Sequence, residues 1–230
     1  MTASPIGLVI FDCDGVLVDS EPLAMRVLLQ MLSDAGTVML PEEAYEAFLG
    51  KSLASVCDIL RDERGVDLGA DALERMRRDL NAVIRRDLRP VPGIATTLRD
   101  LARPVCVASS SQLERVRLSL QVTGLADYFG DHLFSATMVQ RGKPAPDLFL
   151  LAAERMRVAP AHCMVVEDSP AGVAAAHGAG MRVAAFTGGS HARLASHRRR
   201  LAALEPHAVF DDMGGLPGLL RDLERGRKVS

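Results

Sequence analysis

The sequence predicts an α/β fold: a Rossmann-like parallel sheet covered by helices, with a helical bundle inserted after the first strand. Three observations predict it. Short apolar runs at Leu8–Phe11, Val105–Ala108 and Cys163–Val166 are each followed by a helical pattern, as expected of parallel strands buried on both faces. From about Val18 to Leu88 the periodicity is helical, with no convincing strand, until Arg89-Pro90-Val91-Pro92-Gly93 breaks it. The length of 230 residues suits one core carrying a smaller insertion. The expected division is a core of 1–17 and 89–230 and a helical insertion of 18–88.

The elements follow in order. The run Ile6–Phe11 reads as a buried strand. A helix from Glu21 to about Ala35 places Leu23, Val27, Leu28, Met31 and Leu32 at helical spacing. Ser20 is its expected N-cap, and Pro22 sits in the first turn, where a missing N–H does no harm. Further helices are expected at about 42–49, 52–64 and 69–88. After the proline break come a helix at 93–102, a strand at 105–108, a helix at 112–122 and a short strand at 133–135. A helix at 146–156, a strand at 163–166 and a helix at 170–179 continue the rhythm. Strands at 182–186 and 208–210 and a terminal helix complete it. Gly172, Gly178 and Gly180, set among alanines, predict a helix pressed close to the sheet.

Composition narrows the function classes. The chain is 48% hydrophobic and 24% charged with a net charge of −2, which gives no electrostatic case for nucleic acid or a membrane surface. No apolar run approaches the ~20 residues of a membrane-spanning helix, and the N-terminus lacks a signal pattern; the cytoplasm is expected. Cys13, Cys57, Cys106 and Cys163 show no C-x-x-C spacing and read as reduced thiols. Lysine is scarce, at positions 51, 143 and 228 alone, so a lysine in a motif carries weight. His132, His162, His177, His191, His197 and His207 occupy no motif and read as surface residues, and 197–200 reads as a solvated basic face.

In a doubly wound sheet the ligand site lies outside the carboxyl ends of the strands. Those ends deliver Asp12 and Asp14, then Ser109-Ser110-Ser111, then Gly142-Lys143-Pro144, then Glu167-Asp168-Ser169. Asp12, Asp168 and Glu167 with a backbone carbonyl make a hard-oxygen set suited to Mg²⁺. A strand-end serine and a lysine can donate to phosphoryl oxygens. Together they are equipment for phosphoryl transfer, with an acid as nucleophile and a second for the leaving oxygen. Arg141 is either a site residue or one of many surface arginines.

Four ordered segments resemble the motifs of the haloacid dehalogenase (HAD) superfamily of aspartyl-phosphate phosphatases. They are Asp12-Cys13-Asp14-Gly15-Val16-Leu17, Ser109, Lys143 in Gly142-Lys143-Pro144-Ala145-Pro146-Asp147, and the acid pair in Val166-Glu167-Asp168-Ser169-Pro170. The resemblance implies an HAD-like core in which Asp12 is the nucleophile and Asp14 the acid–base. Ser109 and Lys143 would hold phosphoryl oxygens, and Asp12, Asp14 (through its carbonyl), Glu167 and Asp168 would hold Mg²⁺. It also implies a small helical cap of the phosphoglycolate phosphatase, sugar phosphatase and β-phosphoglucomutase subgroup, of which Asp19-Ser20-Glu21-Pro22-Leu23 is typical. Gly50-Lys51-Ser52 matches the specificity loop of that cap. Gly15, Glu21, Gly50, Lys51, Ser110 and Ser111 are then the expected substrate-binding positions.

Departures from the subgroup weigh on the reaction. The mutases carry a histidine where Ala24 stands and a cap arginine at the position of Leu53, so hydrolysis is expected over isomerisation. Asp14 argues against dehalogenation, and Lys51 is the insertion's lone lysine for a phosphonate-type Schiff base. The first motif and Gln140–Pro144 look most like bacterial sugar-phosphate phosphatases, including 6-phosphogluconate phosphatase. The expected function is a Mg²⁺-dependent phosphatase of a small phosphorylated sugar, sugar acid or sugar alcohol. A phosphosugar mutase and a non-catalytic phospho-ligand sensor are the alternatives, and a monomer is expected, with a homodimer as its alternative.

Overall fold

Six parallel strands form one sheet in the computed structural model, which describes residues 5–48, 53–193 and 195–227. They are β1 (Leu8–Phe11), β2 (Val105–Ser109), β3 (Leu133–Ser135), β4 (Cys163–Glu167), β5 (Arg182–Phe186) and β6 (Ala208–Phe210), ordered β3-β2-β1-β4-β5-β6. The chain runs outward from β1 to β3, then returns to the other side of β1 for β4. The register pairs Phe11 with Val107 on one side and with Val166 on the other. The strand order therefore reverses between β1 and β4, where open α/β sheets place their ligands.

The two-residue period of a strand assigns the core. Val9, Phe11, Val107, Met164, Val166 and Phe186 face one side, and Leu8, Ile10, Cys106, Ala108, Val165 and Val183 the other. The helices in chain order are α1 (Glu21–Asp34), α2 (Pro41–Phe48), α3 (Leu53–Arg64), α4 (Ala70–Asp87), α5 (Ile94–Asp100), α6 (Leu113–Val122) and α7 (Ala126–Phe129). They continue with α8 (Asp147–Arg155), α9 (Pro170–Gly178), α10 (Ala195–Ala202) and α11 (Leu216–Glu224). Leu148, Phe149 and Ala152 of α8 and Ala175 and Ala176 of α9 cover the second face. Ile94, Val116, Phe129 and Leu220, from α5, α6, α7 and α11, help cover the first.

Helices α1–α4 lie between β1 and α5 in sequence and close over the carboxyl edge. Helix α4 buries Met76, Leu80 and Ile84, four residues apart, on the stripe it presents inward. Helix α1 ends in a Schellman turn: Thr37 N–H reaches Leu32 O, Gly36 N–H reaches Ser33 O, and Gly36 takes φ +80°. Two backbone strands join this bundle to the sheet. Val91 N–H donates to Leu17 O and Asp19 N–H to Arg89 O, with Val18 paired antiparallel to Pro90.

Three local expectations are corrected. Ser20 precedes α1 but its side chain caps nothing; it turns to Asp14. Of the glycines expected to press α9 on the sheet, Gly180 sits in a turn at φ +68° with open space around it, and Gly178 makes an ordinary contact with Pro146. Only Gly172 meets a side chain at close range. His191 and His197 are buried, at 3% and 1% exposure.

Candidate active site

β1 ends at Phe11 and hands Asp12 to the edge of the sheet, its backbone N–H bonded to Val166 O across the switch point. Asp12 is buried, and so is the lysine that reaches it. Lys143 Nζ donates to Asp12 Oδ1 at 2.6 Å, Glu167 Oε1 at 2.6 Å and Ala108 O at 2.9 Å. All three of its protons are spent, and the ammonium lies 4.9 Å from the Phe149 ring centroid. Burial works against charge on Lys143, but Asp12 and Glu167 overcome it and hold its pKa above the ordinary lysine value. For Asp12 burial dominates: it raises the pKa well above the usual carboxylate range, against the pull of Lys143 and with Glu167, Asp168 and Asp14 adding to it. Among the described residues the second oxygen of Asp12 has no hydrogen-bond partner. It is the one free to meet an electrophile.

Asp14 is held quite differently. Ser20 Oγ donates to its Oδ1 and Ser111 Oγ to its Oδ2, both at 2.6 Å, and Arg115 pairs with Oδ1 at 2.7 Å. Burial opposes the ionised form, yet Arg115, Ser111 and Ser20 outweigh it and lower the pKa. Two carboxylates separated by one residue are thus pushed in opposite directions by their surroundings.

Glu167, expected as a metal ligand, spends both oxygens on the protein. Oε1 takes Lys143, while Oε2 accepts from Asp168 N–H, Ser169 N–H and Ser169 Oγ, each at 2.9 Å. It braces the lysine and the turn that carries Asp168, and it lines the same cavity. Asp168 follows with its Oδ2 2.8 Å from His191 Nε2, a close charge contact off the line of an ideal hydrogen bond.

Ser109 is buried at the end of β2, and its Oγ accepts from Ser111 N–H. Ser110 is exposed at the pocket. Ser111, expected to touch substrate, lines the cavity and donates its hydroxyl to Asp14. Gly15 has φ +79°, and a methyl group there would stand 1.9 Å from Asp168 Oδ2; the glycine lets the first motif and Asp168 meet. Glu21 lines the same cavity. Burial, then Asp168 and Asp14, raise its pKa from 4.5 to about 7, with His191 pulling it back. Gly50 and Lys51 lie outside the described residues. Arg141 is not at the site: it forks onto Asp147 at 3.1 and 3.0 Å on the surface.

The cavity has a volume of about 530 Å³. Asp12, Asp14, Ser109, Lys143 and Asp168 form its floor, and Met25, Leu28, Phe48, Val56, Met76 and Leu80 of α1–α4 its roof. Asp12 and Asp168 with the Asp14 carbonyl suit Mg²⁺, which keeps several waters and takes few protein ligands. Glu167, Asp168 and Asp14 add to the burial that raises Asp12, a concentration of negative charge that a divalent cation would offset; among the described residues no three His, Cys, Asp or Glu side chains gather as a closed metal cage.

Arg115, His191 and His197 are the residues that sequence reasoning missed. Arg115 stands in the first turn of α6, where the helix dipole disfavours a cation; that misfit was a signal for a specific acid partner. His191 follows Thr187-Gly188-Gly189-Ser190 off the end of β5, so the strand-end logic that found Ser109 also applied to it.

Fold and site define a Rossmann-like enzyme core with an acid-rich, lysine-braced pocket at its topological switch point. The haloacid dehalogenase-like hydrolase family model matches residues 6–180, and the chain belongs to that family. It is 35% identical over 189 residues to the 6-phosphogluconate phosphatase of Escherichia coli K12, covering 82% of this chain and 86% of that one. It is 32% identical over 174 residues to the fructose-1-phosphate phosphatase of the same organism, covering 75% and 92%. Among solved structures, a haloacid dehalogenase-like protein of unknown function from Agrobacterium tumefaciens is similar with a TM-score of 0.86 and 37% identity, covering 94% of this chain and 98% of that one. With these relatives the chain is an enzyme of the phosphoric monoester hydrolase class. Among the described residues no helix is long and apolar enough to cross a membrane.

Proposed function

We propose that this chain is a Mg²⁺-dependent phosphatase of a small phosphorylated sugar, sugar acid or sugar alcohol, working through an aspartyl-phosphate on Asp12. The observation that carries the reading is the pairing of Asp12, one oxygen on Lys143 and the other free, with a second carboxylate, Asp14, in the same cavity. Asp12 attacks phosphorus, the ester oxygen leaves with a proton from Asp14, and Asp14 then takes a proton from the water that attacks the acyl phosphate. Phosphate and the free alcohol are the products, and Asp12 is restored. In the present arrangement Arg115, Ser111 and Ser20 favour the ionised form of Asp14, the form that takes a proton in the second step, whereas the first step requires it protonated. Ser109 orients a phosphoryl oxygen, and Lys143, its three protons on Asp12, Glu167 and Ala108 O, fixes Asp12 and adds positive charge beside the phosphoryl group. Mg²⁺, held by Asp12, Asp168 and the Asp14 carbonyl, would supply positive charge to the phosphoryl group.

In this reading residues 1–17 and 89–230 do the chemistry, and 18–88 form a cap that excludes water and reads the leaving group. Hydrolysis is favoured over a mutase because Ala24, where the mutases carry histidine, lines the cavity with a methyl group alone. The test is phosphate release from a panel of sugar, sugar-acid and hexitol phosphates with Mg²⁺. Release abolished by EDTA and by Asp12→Asn is the expected result. Conversion of β-glucose 1-phosphate to the 6-phosphate without free phosphate would establish the mutase, and binding without turnover a sensor.

A further inference from the structure

The segment after β5 brings two histidines onto one acid. His191 Nε2 lies 2.8 Å from Asp168 Oδ2, and His197 Nε2 lies 2.8 Å from the Asp168 carbonyl. One imidazole faces the side chain of Asp168 and the other its backbone. The two rings meet edge to face at 5.4 Å. The side chains of His191 and Asp168 are 1% and 8% exposed.

The His191 ring occupies a slot that two glycines keep open. A methyl group on Gly15 would come to 2.8 Å from its Cε1, and one on Gly189 to 2.6 Å from the same atom. Gly188 is equally confined, since a methyl group there would stand 2.1 Å from Asp211 O. At its near end the segment is pinned to the sheet by Thr187 N–H donating to Phe210 O. At its far end Ser190 Oγ donates to Asp19 Oδ2, in the segment that leads into α1. The segment is braced at both ends, and what it presents is an imidazole edge in close charge contact with one oxygen of Asp168.

We propose that His191 is a positioning residue for Asp168: it fixes one carboxylate oxygen so that the other is turned toward the cation site. The inference rests on the metal assignment made above. A carboxylate free to rotate must lose that freedom on binding a cation, and outer-shell partners that remove it in advance strengthen metal binding. Pure packing would not need an imidazole nitrogen against the carboxylate.

The experiment is Mg²⁺ affinity of the full chain without substrate, by calorimetry, for wild type, Asp168→Asn, His191→Ala, His191→Gln and His191→Asn. Each is also melted in EDTA to compare folds. His191→Ala is expected to bind Mg²⁺ roughly 10- to 100-fold more weakly. His191→Gln, whose amide reaches the place of Nε2, is expected to recover most of that loss, and the shorter His191→Asn is not. A folded His191→Ala with wild-type affinity overturns the proposal. If His191→Ala does not fold, equal affinities for the Gln and Asn variants overturn it. Wild-type protein that binds no Mg²⁺, or binds it equally well as Asp168→Asn, overturns the metal assignment and the proposal with it. Loss in Asp168→Asn alone overturns the role of His191 and leaves that assignment standing.

Discussion

Glu21 is the carboxylate whose environment is least compensated. It faces Asp168 and Asp14 across the cavity, with no salt bridge or hydrogen bond among the described residues, and its pKa rises from 4.5 to about 7. A carboxylate with a raised native pKa contributes stability in full below its unfolded value, and loses it as pH rises through the native one. The loss therefore falls between about pH 4.5 and pH 7 and is complete above it. Glu21→Gln keeps the shape and cannot ionise. In EDTA, wild type and variant are expected to melt close together at pH 4, with the variant melting higher at pH 8. A gap that stays constant with pH would count against this environment for Glu21. Asp12, Asp14, Ser109, Lys143 and Asp168 were all legible in the sequence, because each ends or follows a strand of recognisable type. Arg115 and His191 were not, because their signals, a cation in the first turn of a helix and a place just past a strand end, are faint for an arginine among 24 and a histidine among six.

At the scale of the element, α9 is seated by one missing side chain. A methyl group on Gly172 would stand 1.8 Å from Glu167 Oε1 and 1.9 Å from Cδ. Glu167 cannot retreat, because Lys143, Asp168 N–H and Ser169 hold both its oxygens. Two magnitudes compete in Gly172→Ala. Helix propensity favours alanine by about 1 kcal/mol, whereas breaking a buried ion pair costs about 3–5 kcal/mol. The ion pair wins, and a net loss of roughly 2–4 kcal/mol is expected, a fall of roughly 5–15 °C in melting temperature. Phosphatase activity should fall with it. Gly178→Ala, in the same helix with only Pro146 at 3.6 Å, is the control and is expected to be neutral or slightly stabilising; equal losses at the two sites would refute the steric account. The strands were read nearly to the residue because apolar runs bounded by turns leave little choice. Helix α7, at four residues, is too short for periodicity to register. Helix α10 buries only His197 and Leu201 among arginines, so it shows no apolar stripe. That is how its buried histidine was read as part of a solvated face.

At the scale of the whole molecule, the cavity divides its chemistry between two walls. The floor supplied by the sheet is charged, and the roof supplied by α1–α4 is largely apolar. The walls are joined by the short pairing of Leu17–Asp19 with Arg89–Val91, a place where a few backbone angles can open one against the other. If the floor binds the phosphoryl group and the roof reads the rest of the ester, the two functions should separate by mutation. Val56→Ala and Leu80→Ala remove methyl groups from the roof. Each is expected to change the ratio of kcat/KM between a hexitol phosphate and a sugar-acid phosphate, by roughly 10-fold or more, since one apolar group in a pocket discriminates at about that level. Inhibition by inorganic phosphate should stay within about twofold of wild type, because the phosphate lies on groups these residues do not touch. Ser109→Ala should do the reverse, weakening phosphate inhibition while lowering kcat/KM for every ester by a similar factor. The decisive comparison is the phosphate inhibition constant against the substrate ratio in the same variants. If roof substitutions move both together, the bundle shapes the phosphate site as well, and the division of labour between floor and roof is wrong.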